Sequence, residues 1–348
     1  MGSSPTTGTT SEEANCVSLP PRRRKLHIRW LLLPFQIGGF TGILRFGFVL
    51  NFSLDRDGFN EMKVGTYCAE CLYRKQQMLT NDPEYLREIK KIIDSRREND
   101  TAPYLLFLFG KTRARLFGEV GSMRATKKQY NNDVLAMENT IRARIEADAD
   151  PLLAALVFAR IGNYIDFGAL NQVDGNTLLS LLEQAHIQEQ DRKTLLSFKA
   201  QCRTAKRFLL IADNCGEIVL DKLFIEVLKK SFPHLKVSVL VRGKEVLNDA
   251  TVEDAHDAGM DTLAEVISSG EAIAGTIYEL LPAQAKAALD QADVILAKGQ
   301  GNYESLYGQG RHIFYSLLCK CELFTERFHM PLLSGVFVEE NAEPSCAG

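Results

Sequence analysis

Short apolar runs alternate with longer amphipathic stretches after residue 207, whereas before it apolar residues recur mainly at helical spacing. The later pattern predicts strands at 208–212, 236–241, 264–268, 293–297 and 312–318, with a last extended piece at 332–338. Between them it predicts helices at 216–231, 251–258, 275–290 and after 302. Strand–helix alternation of this kind implies a parallel sheet with right-handed crossovers and helices on both faces. Upstream, Pro83 opens a helix over Glu84–Arg97, with Leu86, Ile89, Ile92 and Ile93 at helical period. Further helices are predicted at Val134–Ala147, at Leu152–Ile161 ending on Gly162, at Leu178–Ala185 and at Asp191–Ala205. No strand is predicted before Phe208. The expected fold class is therefore α/β, a Rossmann-like, mainly parallel sheet lobe at 206–340 preceded by an all-helical lobe at 62–205, with a tail at 341–348.

Residues 1–61 do not fit this scheme. Residues 1–15 are rich in Ser, Thr and Gly and read as disordered. Arg22-Arg23-Arg24-Lys25 then precedes an apolar stretch from Trp30 to Phe52, which Pro34, Gln36, four glycines and Arg45 interrupt. A membrane-spanning helix needs about twenty uninterrupted apolar residues, so membrane insertion is not expected. Met62-Lys63-Val64-Gly65-Thr66-Tyr67-Cys68 reads like a natural amino terminus, so 1–61 is expected to be an over-called start or a disordered leader.

Composition narrows the class of partner more than it identifies one. A net charge of −3 over 348 residues carries no basic excess for nucleic acid. The 8 cysteines lack disulfide-framework spacing, and reduced thiols in a cytoplasmic protein are expected. Cys68-x-x-Cys71 has no second pair at zinc-ribbon spacing and reads as a packed helix start.

The chemistry concentrates where predicted strands end. Asp213 and Asn214 follow the first strand, Asp249 lies past the second, and Lys298-Gly299-Gln300-Gly301-Asn302 closes the strand at 293–297. Ligands of open α/β sheets gather at the carboxyl ends of strands. Carboxylate and amide oxygens at Asp213, Asn214 and Asp249 are hard donors suited to Mg²⁺ or Mn²⁺. Asn214-x-x-Glu217 and Thr251-x-x-Asp254 also satisfy helix capping boxes. Lys298 offers a point charge to a phosphoryl group, and the amides of Gly299 and Gly301 can approach an anion at a helix start. The glycines do not make a dinucleotide fingerprint, because the third is absent. Gly110-Lys111-Thr112 is not a P-loop, since Leu105 stands where that motif needs glycine.

Taken in order, Ala212-Asp213-Asn214-Cys215-Gly216-Glu217, Asn248-Asp249-Ala250-Thr251 and Lys298-Gly299-Gln300-Gly301-Asn302 resemble the damage-control phosphatase family, long labelled domain of unknown function 89. The segment Tyr67-Cys68-Ala69-Glu70-Cys71 resembles its shorter, prokaryote-like branch, and Arg160-Ile161-Gly162-Asn163-Tyr164-Ile165-Asp166 agrees as well. The resemblance covers roughly Met62 to Glu340. It implies a metal-dependent phosphatase of small phosphorylated metabolites, using Mn²⁺, Mg²⁺, Co²⁺ or Ni²⁺. Carried onto this chain, it makes Asp213, Asn214 and Asp249 the metal ligands and Lys298 the phosphate-binding residue. Gly299, Gly301 and Asn302 would lie beside the phosphate, and Asn163 and Asp166 would line the substrate side. The expected mechanism is in-line attack by a metal-activated water, with Glu217, ahead of Asp254, orienting that water or serving as base. Gln300 departs from better-known larger relatives, which carry an acidic residue there. Two rival readings remain at this level: an S-adenosylmethionine-dependent carboxyl methyltransferase and a non-catalytic phosphometabolite-binding protein.

Overall fold

A computed structural model describes residues 28–37, 40–49, 62, 64–118, 121–164 and 189–341. The chain divides into two compact units, residues 1–56 and 57–348. In the first, β1 (Ile28–Ile37) pairs antiparallel with β2 (Phe40–Val49), with Ile37 opposite Phe40. This differs from the expectation of no strand before Phe208. Two apolar runs joined by Gly38-Gly39 are a hairpin signal, and reading the stretch only against a spanning helix concealed it. The disorder expected for 1–15 and the helix expected at 178–185 lie outside the described residues. So does Asp166.

In the second unit the helices are α1 (Thr66–Leu79), α2 (Pro83–Asp94), α3 (Ala102–Phe117), α4 (Arg124–Leu135), α5 (Glu138–Ala147), α6 (Pro151–Gly162) and α7 (Glu189–Thr204). The expected single helix 134–147 is broken at Ala136–Met137, so that α4 and α5 are separate. Pro83 and Pro151 sit at first-turn positions, and the carboxylates of Asp82 and Asp150 accept backbone N–H bonds that cap these helices.

From residue 207 strands and helices alternate: β3 (Arg207–Ile211), α8 (Glu217–Ser231), β4 (Lys236–Val241), α9 (Val252–Asp257), β5 (Glu265–Ser268), α10 (Ala283–Gln291), β6 (Val294–Lys298), α11 (Gly299–Leu306), β7 (Ile313–Leu318), α12 (Glu322–Phe328) and β8 (Gly335–Glu340). The helix expected from 275 begins only after Pro282, which lacks the N–H that a helix interior needs. The six strands lie in the order β5-β4-β3-β6-β7-β8. All neighbours are parallel except β7 and β8, which run antiparallel. The fold class is thus α/β as expected, with one antiparallel edge strand.

Strand parity sorts the core. Phe208, Leu210, Val239, Val294, Leu296 and Phe314 face the side covered by α6, α7 and α8. Leu209, Ile211, Leu240, Ile295, Ala297 and Tyr315 face the other. Phe198 of α7 meets Phe208, Phe224, Phe314 and Phe337 at ring-centroid distances of 6.0, 6.3, 5.2 and 6.3 Å, pairs worth about 0.5–1.5 kcal/mol each beyond burial. Helix α8 is buried nearly all round, between the sheet and α6. A Cβ on Gly162 would lie 2.9 Å from Leu220 Cδ1 and 3.0 Å from the Glu217 Cα. Only glycine lets the end of α6 come this close, and that approach carries Asn163 to the start of α8. Among the described residues no helix is long and apolar enough to cross a membrane.

Candidate functional site

Strand order reverses between β3 and β6. Chain leaving β3 proceeds outward through β4 and β5, then returns to the opposite side of β3. A crevice opens beyond the carboxyl ends of strands at such a point. Asp213 and Asn214 stand there after β3. Asn214 forms an antiparallel bridge with Asp249. The Ala250 N–H donates to the Asp213 carbonyl at 2.7 Å and the Cys215 N–H to the Asn248 carbonyl at 2.8 Å. The two loops are thereby zipped together, which places two carboxylates side by side.

Amide donors orient Asp213. Asn163 Nδ2 donates to Asp213 Oδ2 at 2.7 Å and to Glu217 Oε2 at 3.0 Å; Asn214 Nδ2 donates to the same two oxygens at 2.9 and 3.0 Å. Asn163 Oδ1 is buried without a partner in the protein. On the other side Gly299 has φ +76°, and a Cβ there would sit 2.0 Å from Asp213 Oδ2. Glycine at 299 is what leaves room for the carboxylate. Burial, followed by the charges of Asp249 and Glu217, pushes the Asp213 carboxyl up to about 8; Lys320 and then Arg242 oppose the rise.

Several expected residues serve as struts instead. Lys298 is fully buried, and its ammonium donates to Glu217 Oε1 at 2.6 Å, Asp221 Oδ1 at 2.7 Å and the Ala159 carbonyl at 3.1 Å. An ammonium has three donors, so none is left for a phosphate oxygen. Parity explains the difference: Lys298 shares the face of Val294 and Leu296, under α8. Burial alone would lower its pKa, but the Asp221 and Glu217 carboxylates outweigh that and hold it above the usual lysine range. Glu217, expected to orient water, is fully buried, with Oε1 on Lys298 and Oε2 on the two asparagines. It positions amides and meets no solvent. Asp254, the second candidate base, accepts the Thr251 N–H and hydroxyl in a capping box and pairs with Lys127 at 2.5 Å. Asn302 is also buried, donating to the Ala212 and Lys298 carbonyls and accepting from Arg242 and Thr276. Gly301 lies against the Ala274 carbonyl.

Four residues central to the arrangement went unread in the sequence. Arg242, fully buried at the end of β4, donates to Asp249 Oδ2 at 2.7 Å and reaches within 3.7 Å of Asp213 Oδ1. Asn131 accepts the Gly216 N–H at 2.6 Å and donates to Asp254 at 2.9 Å, tying α4 to both loops. Lys127 of α4 is 1% exposed beside it. Lys320, half-buried at the carboxyl end of β7, donates its backbone N–H to Gln300 Oε1 at 2.9 Å. This contact gives Gln300 a role that an acidic side chain could also fill.

The donor chemistry suits a hard cation: two carboxylates and an asparagine amide at one crevice, with the orphaned Asn163 Oδ1 beside them. Among the described residues no three His, Cys, Asp or Glu side chains group as a metal cluster. Cys68 and Cys71 are free thiols on α1, and burial pushes the Cys68 thiol up to about 12. That makes Cys68 a poor nucleophile.

Residues 65–332 match the family described as damage-control phosphatase ARMT1-like domain. An uncharacterized protein of Methanocaldococcus jannaschii is 30% identical over 80% of this chain and 96% of its own length. A damage-control phosphatase of Archaeoglobus fulgidus is 27% identical over 75% of this chain and 93% of its own. The crystal structure of a DUF89 family protein from Pyrococcus horikoshii is similar with a TM-score of 0.64 and 25% identity, covering 81% of this chain and 100% of that one.

Proposed function

The chain belongs to the damage-control phosphatase ARMT1-like domain family, and on that footing we propose that it is a metal-dependent phosphatase of small phosphorylated metabolites. Sugar phosphates and related phosphate esters are the proposed substrates. The observation that carries the reading is the pairing of Asp213 with Asp249 across the Asn214 bridge, at the point where strand order reverses.

Asp213, Asn214 and Asp249 would hold a divalent cation, with Mg²⁺ and Mn²⁺ favoured over Co²⁺ and Ni²⁺ by the all-oxygen donors. When bound, such a cation neutralises phosphoryl charge and lowers the pKa of a coordinated water. Asn163 and Asn214 fix the Asp213 carboxylate through their amide N–H groups. Arg242 fixes Asp249 from below. Lys320 takes the phosphate-binding role first assigned to Lys298, since it stands at the strand end beside Asp213 and is not sealed in the core. The proton-accepting group is left to a substrate-side residue, because Glu217 and Asp254 are both engaged inside the fold. An adenosine site for methyl transfer would need a glycine-rich turn after β3, and Asp213 and Asn214 occupy that turn.

Phosphate release from a panel of phosphate esters, after chelation and with each metal added back, tests this. Metal-restored release that falls about a thousandfold in Asp249→Asn is expected. Binding of esters without turnover under every metal would replace the phosphatase with a binding protein.

A further inference from the structure

Helix α4 turns a largely polar stripe inward. Its buried residues are Lys127, Asn131 and Val134, at i, i+4 and i+7. A surface helix normally buries apolar residues at these spacings. Here two of the three positions carry a lysine and an asparagine, 1% and 0% exposed. Burying such groups costs stability unless they are paired, so packing alone does not account for them.

Their side chains bond to the two loops of the crevice. The Gly216 N–H donates to Asn131 Oδ1 at 2.6 Å. Gly216 is the N-cap of α8, has φ +71° and brings no side chain of its own, so Asn131 satisfies this first N–H from another helix. Asn131 Nδ2 donates to Asp254 Oδ1 at 2.9 Å. Asp254 Oδ2 in turn accepts the Thr251 N–H at 2.8 Å, the Thr251 hydroxyl at 2.7 Å and the Lys127 ammonium at 2.5 Å. One amide therefore grips the loop of Asp213 with its oxygen. With its nitrogen, through Asp254, it grips the loop of Asp249. At the start of α4, Ser122 Oγ and the Met123 N–H donate to Glu245 at 2.9 and 3.2 Å. That fastens the same helix to the chain leading into the second loop.

Hydrogen bonds fix distance and direction, whereas apolar burial is non-directional. A small hard cation demands its ligand oxygens at near-ideal geometry, and the stance of the two loops decides where those oxygens lie. We propose that α4 is a clamp that sets the spacing of Asp213 and Asp249, with Asn131 as its positioning residue. The clamp rests on the reading of Asp213, Asn214 and Asp249 as cation ligands. Asn131 acts through Gly216 and Asp254 and touches neither cation nor substrate.

Calorimetric titration of the chelator-treated full chain with Mn²⁺ tests it, beside kcat and KM at saturating Mn²⁺ on the phosphate ester that wild type hydrolyses best. Asn131→Leu keeps the size of the side chain and removes both bonds. It should weaken Mn²⁺ binding and lower kcat, each by about ten- to a hundredfold, with KM within about twofold. Asn131→Asp keeps an acceptor for the Gly216 N–H and should recover most of the Mn²⁺ affinity. Phe198→Leu lowers the melting temperature from the aromatic cluster on α7 and should leave Mn²⁺ affinity and kcat at wild-type values. Circular dichroism checks each fold, and Asn131→Ser replaces Asn131→Leu if that chain does not fold. The clamp is overturned if the Asn131 variant binds Mn²⁺ as wild type does, if Asn131→Asp recovers nothing, if Phe198→Leu loses as much affinity, or if wild type binds no divalent cation. Mn²⁺ binding by wild type without hydrolysis of any ester defeats the phosphatase reading alone, and the affinities still decide the clamp.

Discussion

Two layers meet at the carboxyl edge of β3 and β6, and they differ in exposure. The upper layer, Asp213, Asn214 and Asp249, gathers negative charge in a crevice and holds it with neutral amides and one buried arginine. The lower layer, Lys298, Glu217 and Asp221, lies fully buried, and its ammonium spends every donor inside the protein. Each sets two carboxylates against one buried cation, Arg242 above and Lys298 below. Only the upper one reaches the surface, with the Asp213 side chain 13% exposed, and the proposed cation is assigned there for that reason. The lower layer makes the upper one rigid, because Glu217 takes the amide N–H groups that also hold Asp213.

The sharpest way to break this contrast is to strike the contact between the layers. Gly299→Ala would drive a methyl group into Asp213 and force alanine to φ +76°. Misplacing a catalytic group by an ångström costs about a hundredfold, so kcat should fall by that order while the core stays folded. Unchanged kcat would mean that the Asp213 position does not set the rate. Lys298→Met should act the other way, removing about 3–5 kcal/mol of stability by stranding buried carboxylates. A urea midpoint near that of wild type would sink the strut reading. Lys320→Ala should raise KM about tenfold with the melting temperature unmoved, as expected for a cation that meets substrate and not the core. An effect on melting alone would return Lys320 to the structural layer.

The smallest effect concerns pH. Burial pushes the Asp221 carboxyl from 3.8 up to about 7, against the pull of Lys298. The folded protein thus holds a proton that the unfolded chain releases near 3.8. The associated stability is fully present below that pH and is lost as pH rises through about 7. Asp221→Asn should flatten the fall in melting temperature across that window. An unaltered slope would place the proton on another group.

Most of the architecture was legible in period and punctuation. Alternating runs predicted β3, β4, β5, β6 and β7 to within a residue or two, because buried parallel strands read as short unbroken apolar segments. The hairpin at 28–49 and helices α3, α4 and α12 were not read; the first was weighed only as a spanning helix, and the last is just seven residues long. At the crevice the structure brings Asp213, Asn214 and Asp249 together, as their places after two neighbouring strands one crossover apart implied. Lys298 was misassigned, although its parity with Val294 and Leu296 already pointed it into the core. Arg242, Asn131 and Lys127 had no local signal. Their partners lie 7, 123 and 127 residues from them or are fixed only by how α4 packs on the two loops.

The place of β6 in the sheet also bears on how a nascent chain becomes an enzyme. When β3, α8, β4 and β5 have left the ribosome, β3 is still an edge, with one row of backbone groups unpaired and its carboxylates facing no lysine. Synthesis must run through β6 and β7 before Lys298 seals the lower layer and Gly299 walls in Asp213. No half-length product has half a site. A ribosome stalled before residue 298 would release a chain with an open strand edge and buried-type carboxylates bared to water, which is a substrate for chaperones or proteases and not a slower phosphatase.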